Sequence, residues 1–318
     1  MPRKNITKFA AFVIFTSVGV SQLGCGLSSS GGSANAIPES EQAKFEKPTV
    51  VGNLKSDEIT ESSGLAASKC QTDVIWTHND SGDGPYIFAI NEKGEDLGTW
   101  RVAGATNKDW EDISERREPD GKCYVYIGEI GNNKLEREEL AVYKVLEPTV
   151  NDQTKNSTRN EPLETEPAFV LRFKYPDSRQ NAETLLVHPL TGEIYVLSKS
   201  QKVPSTVFKL QPEFNGPVQT ASIIAKITVP AVPNGLITGG DISGDGKHVV
   251  ICDYFAGYEL TLPSHAAGFD EIWNQKPLRF DLGRREVGET VAYSTDGDQV
   301  FATSEDRNAP IYRVNRSK

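Results

Sequence analysis

The chain has 318 residues, a formal net charge of −10, 37% hydrophobic residues and 25% charged residues. This balance is typical of a soluble globular protein with enough chain for a substantial core. The acidic excess argues against nucleic acid and against anionic lipid surfaces as direct partners, because both require clustered Lys and Arg side chains.

The first residues form an export-like segment. Basic side chains at Arg3, Lys4 and Lys8 precede an apolar run, residues 9–20. That run has about the length of a secretory signal and is too short to span a bilayer comfortably. The pattern therefore predicts an exported protein.

Residues 21–25, SQLGC, resemble the lipobox of bacterial lipoproteins, although Gln22 stands where leucine is preferred. We predict a lipoprotein signal peptide over residues 1–24 and a lipid on Cys25. The following residues are rich in Ser, Gly, Ala, Glu and Lys, and they predict a flexible tether over residues 25–48.

The lipid would be the only contact with a membrane. Gly26 gives no acidic retention signal after the cysteine, so the prediction is an outer-membrane lipoprotein of a bacterial cell envelope, facing the periplasm or the surface. We predict a monomer. An ordinary signal peptide, cut between Gly24 and Ser30, is the alternative.

Short strand-like segments with Asp-Gly or Thr-Gly turns follow in chain order. In groups they read SSGLAAS, VIWTHN, YIFAIN and LGTWRV; WEDISE, CYVYIGEI, LAVYKV and AFVLRFKY; TLLVHP, EIYVLS, TVFKLQ and SIIAKITV; GGDIS, HVVICDY, YELTLP and LRFDL; then TVAYST, QVFATS and PIYRV. The fifth group lacks a fourth strand. An unassigned strand, TVVGNL, precedes the first group and predicts closure of the last blade by the N-terminal strand.

A polar or acidic residue stands before the first strand of every group, and successive ones are 48, 74, 55 and 51 residues apart. Four-stranded repeats of this length are typical of a β-propeller. We predict an all-β fold, a propeller of five blades with four antiparallel strands each, over residues 49–318. A β-sandwich would not need so regular a repeat. The five residues are Glu61, Asp109, Glu183, Thr238 and Glu289.

Three cysteines remain beyond Cys25. Cys70 and Cys123 occupy matching turns of neighbouring blades, and an exported protein can form disulfides, so we predict a bond between them. Cys252 lies within an apolar strand and is expected to be a buried free thiol. The four histidines show no zinc spacing.

The first strand of a blade starts at the face to which the second strand returns. We call the residue that precedes each first strand the head of the blade, and the last residues of the second strand its tail. Heads and tails therefore lie on one face of the ring, which we predict to bind a small-molecule or protein ligand. The tail residues predicted to contribute to this ligand-binding face are Asn79, Asp80, Glu129, Lys199, Asp253 and Glu305.

Carboxylates that converge near one axis need compensation. Oxygen-only ligands suit calcium, so a Ca²⁺ ion is predicted among Glu61, Asp109, Glu183 and Glu289. The alternative is a water-filled channel in which the acids pair with cations. The candidate cations for that alternative are Lys108, Arg137, Arg179, Lys199 and Arg307.

Enzymatic alternatives stay open beside a binding module. A metal-dependent ester or phosphoester hydrolase is the first. A glycosidase is the second, because such enzymes use two carboxylates about 5 to 9 Å apart, and no pair is selected by the sequence. No G-x-S-x-G motif supports Ser-His-Asp catalysis.

Six sequence phrases occur at the blade starts and second strands: ESSGL (61–65), WTHNDSGDG (76–84), DWEDI (109–113), IGEIGNN (127–133), AETLL (182–186) and GETVA (288–292). Together they resemble a family of secreted bacterial propellers known as phytase-like or SdiA-regulated-like. The resemblance covers about residues 55–315 and implies the propeller fold, with Glu129 where the family often has Asp. The broader propeller group includes calcium-dependent hydrolases with an axial metal, which favours the metal hypothesis but assigns no reaction.

Overall fold

The computed structural model describes residues 44–200, 203–229 and 236–317. The predicted signal peptide, Cys25 and the tether up to residue 43 lie outside the described residues. Within the described ranges, no helix has the length and apolar character needed to cross a membrane.

Five separate sheets form, one for each predicted blade. Blades 1 and 2 each carry a fifth, very short strand that pairs in parallel with the outer edge. From the centre outwards, blade 1 contains β2 (Ser62–Ala67), β3 (Ile75–Asn79), β4 (Tyr86–Ile90), β5 (Asp96–Arg101) and β9 (Leu163–Glu164). Blade 2 contains β6 (Asp112–Arg117), β7 (Cys123–Glu129), β8 (Leu140–Leu146), β10 (Phe169–Lys174) and β14 (Gln219–Thr220).

The other blades have the four antiparallel strands that the sequence predicts. Blade 3 contains β11 (Ala182–Val187), β12 (Ile194–Ser198), β13 (Ser205–Leu210) and β15 (Ser222–Ile227). Blade 4 contains β16 (Gly239–Ile242), β17 (His248–Cys252), β18 (Gly257–Thr261) and β19 (Leu278–Phe280). Blade 5 contains β20 (Thr290–Tyr293), β21 (Gln299–Thr303), β22 (Pro310–Asn315) and β1 (Thr49–Asn53).

The inner strands contact one another in a closed ring: β2, β6, β11, β16, β20 and again β2. The fold is therefore an all-β, five-bladed propeller. Helix in the described residues is limited to short 3-10 turns at Thr154–Asn156 and Phe269–Asn274.

The ring closes as predicted, because β1 pairs antiparallel with β22, from Thr49 opposite Arg313 to Asn53 opposite Pro310. Contacts with the propeller begin before β1. Phe45 forms a β-bridge with Arg316 and stacks on Phe280. The chain is thus tied to blade 5 several residues ahead of the boundary that the sequence indicates.

The apolar core is divided into five clusters, one between each pair of adjacent blades. Alternation along each strand sends successive side chains to opposite faces of a blade, so each blade supplies two interfaces. Trp76 and Trp110 are fully buried between blades 1 and 2. Trp110 therefore belongs to the core between these two blades.

Buried carboxyl groups also connect blades. The Asp112 carboxyl accepts hydrogen bonds from the backbone N–H groups of Ile113 in its own blade and of Leu185 in blade 3, at 2.9 Å each. Asp241 makes the equivalent bond to Tyr293 of blade 5, at 3.0 Å. Inner strands of neighbouring sheets are thereby fixed in register.

A disulfide joins Cys70 and Cys123, whose Cα atoms are 6.1 Å apart. It links blades 1 and 2 at the ends of their inner strands. Cys252 is a buried free thiol, and burial raises its pKa to about 11.

Candidate functional site

The starts of the inner strands place acidic residues on one face of the ring. Glu61 directly precedes β2, Glu183 is the second residue of β11, and Glu289 directly precedes β20. Thr238 holds the corresponding place in blade 4. In blade 2 the residue directly before β6 is Glu111, two residues beyond the predicted Asp109.

These carboxyl groups, together with two from second-strand tails, act on one another electrostatically. The Asp80 carboxyl is influenced by Glu289, Glu183 and Asp109 from three other blades. Such interactions across the ring require convergence on the axis. We call this group the axial acid cluster; its members are Glu61, Asp80, Asp109, Glu111, Glu183, Glu289 and Glu305.

Lys199 neutralises one side of the axial acid cluster. Its Nζ lies 2.8 Å from Glu183 Oε2 and 3.4 Å from Glu289 Oε1. Burial alone would lower the pKa of Lys199, but these two carboxylates raise it well above its usual range. The ammonium also lies over the ring of Tyr254, 5.1 Å from its centre. Lys199 therefore bridges two heads across blade 4, whose own head is neutral.

Glu289 and Glu305 form an adjacent carboxyl pair. Burial, together with the charge of Glu289 and a hydrogen bond to it, raises the pKa of Glu305 to about 9. Ser63 Oγ donates a further hydrogen bond to Glu289 Oε2 at 3.3 Å. A proton held by Glu305 at neutral pH removes the repulsion between the two acids.

Three of the four remaining acids, Asp80, Asp109 and Glu111, form a triad with carboxylate oxygens within 4.8 Å of one another. Burial raises the pKa of Asp80 to about 8 and that of Glu111 well above its usual range, and neighbouring carboxylates add to both effects. Asp80 Oδ1 and Glu111 Oε1 are buried and have no hydrogen-bond partner among the described residues. Arg137 and Lys199 act on Asp109 from a distance, but among the described residues no cation forms an ion pair with the triad of the kind that Lys199 forms with Glu183 and Glu289.

Gly131 leaves room for this triad. A Cβ at that position would lie 1.9 Å from Glu111 Oε1 and 2.6 Å from the Asp109 carboxyl carbon. Any other residue would displace the carboxylates.

Glu129 supports the triad. Its Oε2 accepts a hydrogen bond from the Lys108 N–H at 2.9 Å, and its Oε1 accepts one from the Asp109 N–H at 3.2 Å. Arg137 forms an ion pair with the same carboxylate and also donates to Gly131 O. Glu129 is thus a positioning residue for Asp109.

Asn79 has a similar supporting position below Glu61. Its Oδ1 accepts the N–H groups of Thr60 and Glu61, at 2.9 and 3.1 Å, and its Nδ2 donates to Asp83 Oδ2 at 2.6 Å. Arg159 pairs with the other Asp83 oxygen. The side chains of Asn79 and Asp83 are therefore used in a tight turn.

Asp253 lies beneath the face and is fully buried. Its Oδ1 accepts the N–H groups of Phe255 and Ala256, and its Oδ2 accepts the Tyr258 hydroxyl at 2.7 Å. These bonds favour a structural role in the turn before β18. The turn presents Phe255, which is 59% exposed, beside Tyr254 and Lys199.

Glu111 is the residue that the sequence prediction missed; Lys199 was a candidate counter-ion in the alternative interpretation, but its two partners were not assigned. Glu111 could have been found by strand register, because the heads of blades 1, 4 and 5 all directly precede their strands. The contact of Lys199 with Glu183 lies within one hairpin of blade 3, where β11 pairs with β12, whereas its contact with Glu289 of blade 5 has no local signal. The predicted metal set is thus divided: Asp109 belongs to the triad, Glu183 and Glu289 contact Lys199, and Glu61 is exposed.

No protein-family model matches the sequence, and no curated protein matches it. Among solved structures, the chain is similar to the PQQ-bound aldose sugar dehydrogenase of Streptomyces coelicolor, with 12% identity, 86% of this chain and 99% of that chain covered, and a TM-score of 0.49. It is also similar to a chain of the nidogen/laminin complex, with 13% identity, 77% and 72% covered, and a TM-score of 0.42. Likenesses this distant say nothing about the chemistry of the site.

Proposed function

We propose that the protein is a ligand-binding propeller of the bacterial cell envelope, whose axial face binds a divalent cation, Ca²⁺, between Asp80, Asp109 and Glu111. The observation that supports the cation is the pair of buried, unpartnered oxygens, Asp80 Oδ1 and Glu111 Oε1, close to a third carboxylate. Oxygen donors alone favour calcium over zinc. The ion would leave coordination positions for water or for a bound ligand.

The envelope location rests on the N-terminal sequence, with its basic segment, apolar run and Cys25. The motifs shared with secreted bacterial propellers are consistent with it. In this proposal the lipid holds the propeller at the outer membrane while the axial face receives the ligand.

Calcium titration tests the cation site. Calcium should raise the melting temperature of the wild type, since a ligand that binds only the native state stabilises it by RT ln(1 + [L]/Kd), about 2.7 kcal/mol at a hundredfold excess. Glu111→Gln and Asp109→Asn should abolish this shift, whereas Glu213→Gln, on an exposed turn, should retain it. A wild type that binds no calcium by calorimetry, with acid variants that melt higher, would refute the site.

A metal-dependent ester or phosphoester hydrolase is the second candidate. It is favoured by Glu305, a carboxyl that keeps its proton at neutral pH and is close enough to Asp80 for their charges to interact. Such a group can act as a general acid beside a metal. Calcium-dependent hydrolysis of nitrophenyl esters or phosphates, lost in Glu305→Gln, would establish turnover; the absence of turnover leaves the binding role.

A further inference from the structure

A cavity lies at the opposite end of the ring axis from the axial acid cluster. Its volume is about 330 Å³, within the range of small-ligand sites. Every blade lines it at the far end of its inner strand. The lining residues that mark the five blades are Lys69 after β2, Glu115 in β6, Val187 in β11, Ile242 in β16 and Thr295 after β20.

Glu115 is the unpaired group of this cavity. It is 5% exposed, and in the part of the chain that the structure describes neither carboxylate oxygen has a hydrogen bond of regular geometry, although the Lys69 backbone N–H lies near enough to lower the pKa. Burial raises its pKa to about 8; the charged groups that face it are Lys69 from blade 1, Glu147 after β8 and Asp241 from blade 4. A buried carboxylate without regular hydrogen bonds is costly, so a ligand cation there would be stabilising.

The rim of the cavity is basic. Lys69 precedes Cys70, and Arg117 pairs with Cys123 across β6 and β7, so the disulfide fixes both cations beside the cavity. Arg116 is already used, because its guanidinium donates to the carbonyls of Pro189 and Leu190. Among the described residues, the exposed Arg117 donates through its Nε alone, to Gly121 O at 3.3 Å, so its terminal nitrogens and the half-buried Lys69 are placed to meet a ligand anion.

The third side of the cavity is apolar. Val187 and Ile242 are buried at its wall, and Leu190 is 67% exposed at its edge. A ligand that satisfies all three sides carries an ammonium, a carboxylate and an aliphatic group.

We infer that this cavity binds a small aliphatic α-amino acid. The ligand's ammonium would contact Glu115, its carboxylate would face Lys69 and Arg117, and its side chain would pack against Leu190 and Ile242. This inference is independent of the axial cation. Because the ammonium favours the ionised form of Glu115, binding at pH 7 should also release a proton from that carboxyl.

Calorimetry on the full-length protein tests the inference with L-leucine, its des-amino analogue isocaproate and its des-carboxy analogue isoamylamine. Leucine should bind more tightly than either analogue. Glu115→Gln should weaken leucine binding at least about thirtyfold, the effect of truncating one partner of a buried charge pair, and leave isocaproate nearly unchanged. Titrations in buffers of different ionisation enthalpy should show proton release with leucine and none with isocaproate.

Arg117→Ala, at an exposed position, provides a second variant that should weaken leucine and isocaproate alike. Glu213→Gln is the control and should bind leucine as the wild type does. Absence of saturable leucine binding to the wild type would overturn the inference. So would equal affinity for leucine and isocaproate, because the ammonium would then make no contact with Glu115.

Discussion

At the residue scale, the axial acid cluster shows how neighbouring carboxyl groups can be compensated in different ways. Lys199 supplies a fixed cation to Glu183 and Glu289. Glu305 retains a proton beside Glu289. Within the axial acid cluster, only the triad around Glu111 has buried carboxylate oxygens left without hydrogen-bond partners among the described residues. The difference between these arrangements locates the proposed cation.

Removal of the Lys199 ammonium should destabilise the protein, because Glu183 and Glu289 would lose the cation that neutralises them. We expect Lys199→Met to lower the free energy of unfolding by about 3–5 kcal/mol at pH 7, since buried carboxylates lose their counter-charge. Lys55→Met is the matched control, because its pair with Glu95 is exposed and should contribute less than about 1 kcal/mol. Urea denaturation measures both, and equal losses would show that Lys199 is not an effective counter-ion.

The raised pKa of Glu305 predicts a pH dependence of stability. Its native pKa is about 9, above the ordinary 4.5, so the native state holds more protons than the unfolded chain between these values. Stability without calcium should therefore fall as pH rises from about 5 to about 9. In Glu305→Gln that fall should be smaller, as measured by denaturation at pH 6 and pH 9 in EDTA. An unchanged slope would mean that Glu305 titrates normally.

At the element scale, buried aspartates in the inner strands hold neighbouring blades together. Asp112 and Asp241 bind backbone groups of the next blade and hold neighbouring inner strands together. The last blade depends on β1, the first strand of the described chain, for its outer edge. The alignment of neighbouring blades and the closure of the ring are thus set by separate contacts.

Truncation tests the closure. Deletion of residues 1–43 should leave the melting temperature unchanged, because this segment is predicted to be a signal peptide and tether, and among the described residues the contacts with blade 5 start at Lys44 and Phe45. Deletion of residues 1–54 removes β1 and the buried Leu54, exposes the edge of β22 and should lower the melting temperature by about 10 °C or more. Comparison with a deletion of residues 1–48 measures how much the contacts of Phe45 contribute to the melting temperature. Equal melting temperatures for all truncations would contradict closure by β1.

At the scale of the whole molecule, the ring has two ends of different chemistry. One end carries the axial acid cluster, and the other carries a cavity with a basic rim and the disulfide between Cys70 and Cys123. All inner strands run in the same direction along the axis, so their starts form one end and their finishes the other. A single repeated unit thereby produces two candidate sites.

The predicted anchor concerns the full-length chain. Cys25→Ser should move the protein from the membrane fraction to the soluble fraction, because a lipidated cysteine is the only membrane contact that we expect. Fractionation with a fatty-acid probe measures the change. A wild type that carries no label and is already in the soluble fraction would contradict the anchor.

The sequence by itself determined the repeat, the number of blades and the closing strand, because strand alternation and turn residues are local features. It also placed Asp80, Glu129, Lys199 and Glu305 on the face of the strand heads. Only the tertiary structure decided which acids meet. Glu111 replaces Asp109 as the strand head by a shift of two residues, and Lys199 joins acids of blades 3 and 5. The contact of Lys199 with Glu183 follows from the pairing of β11 with β12, but its contact with Glu289 joins different blades, and neither residue carries a local signal of the other.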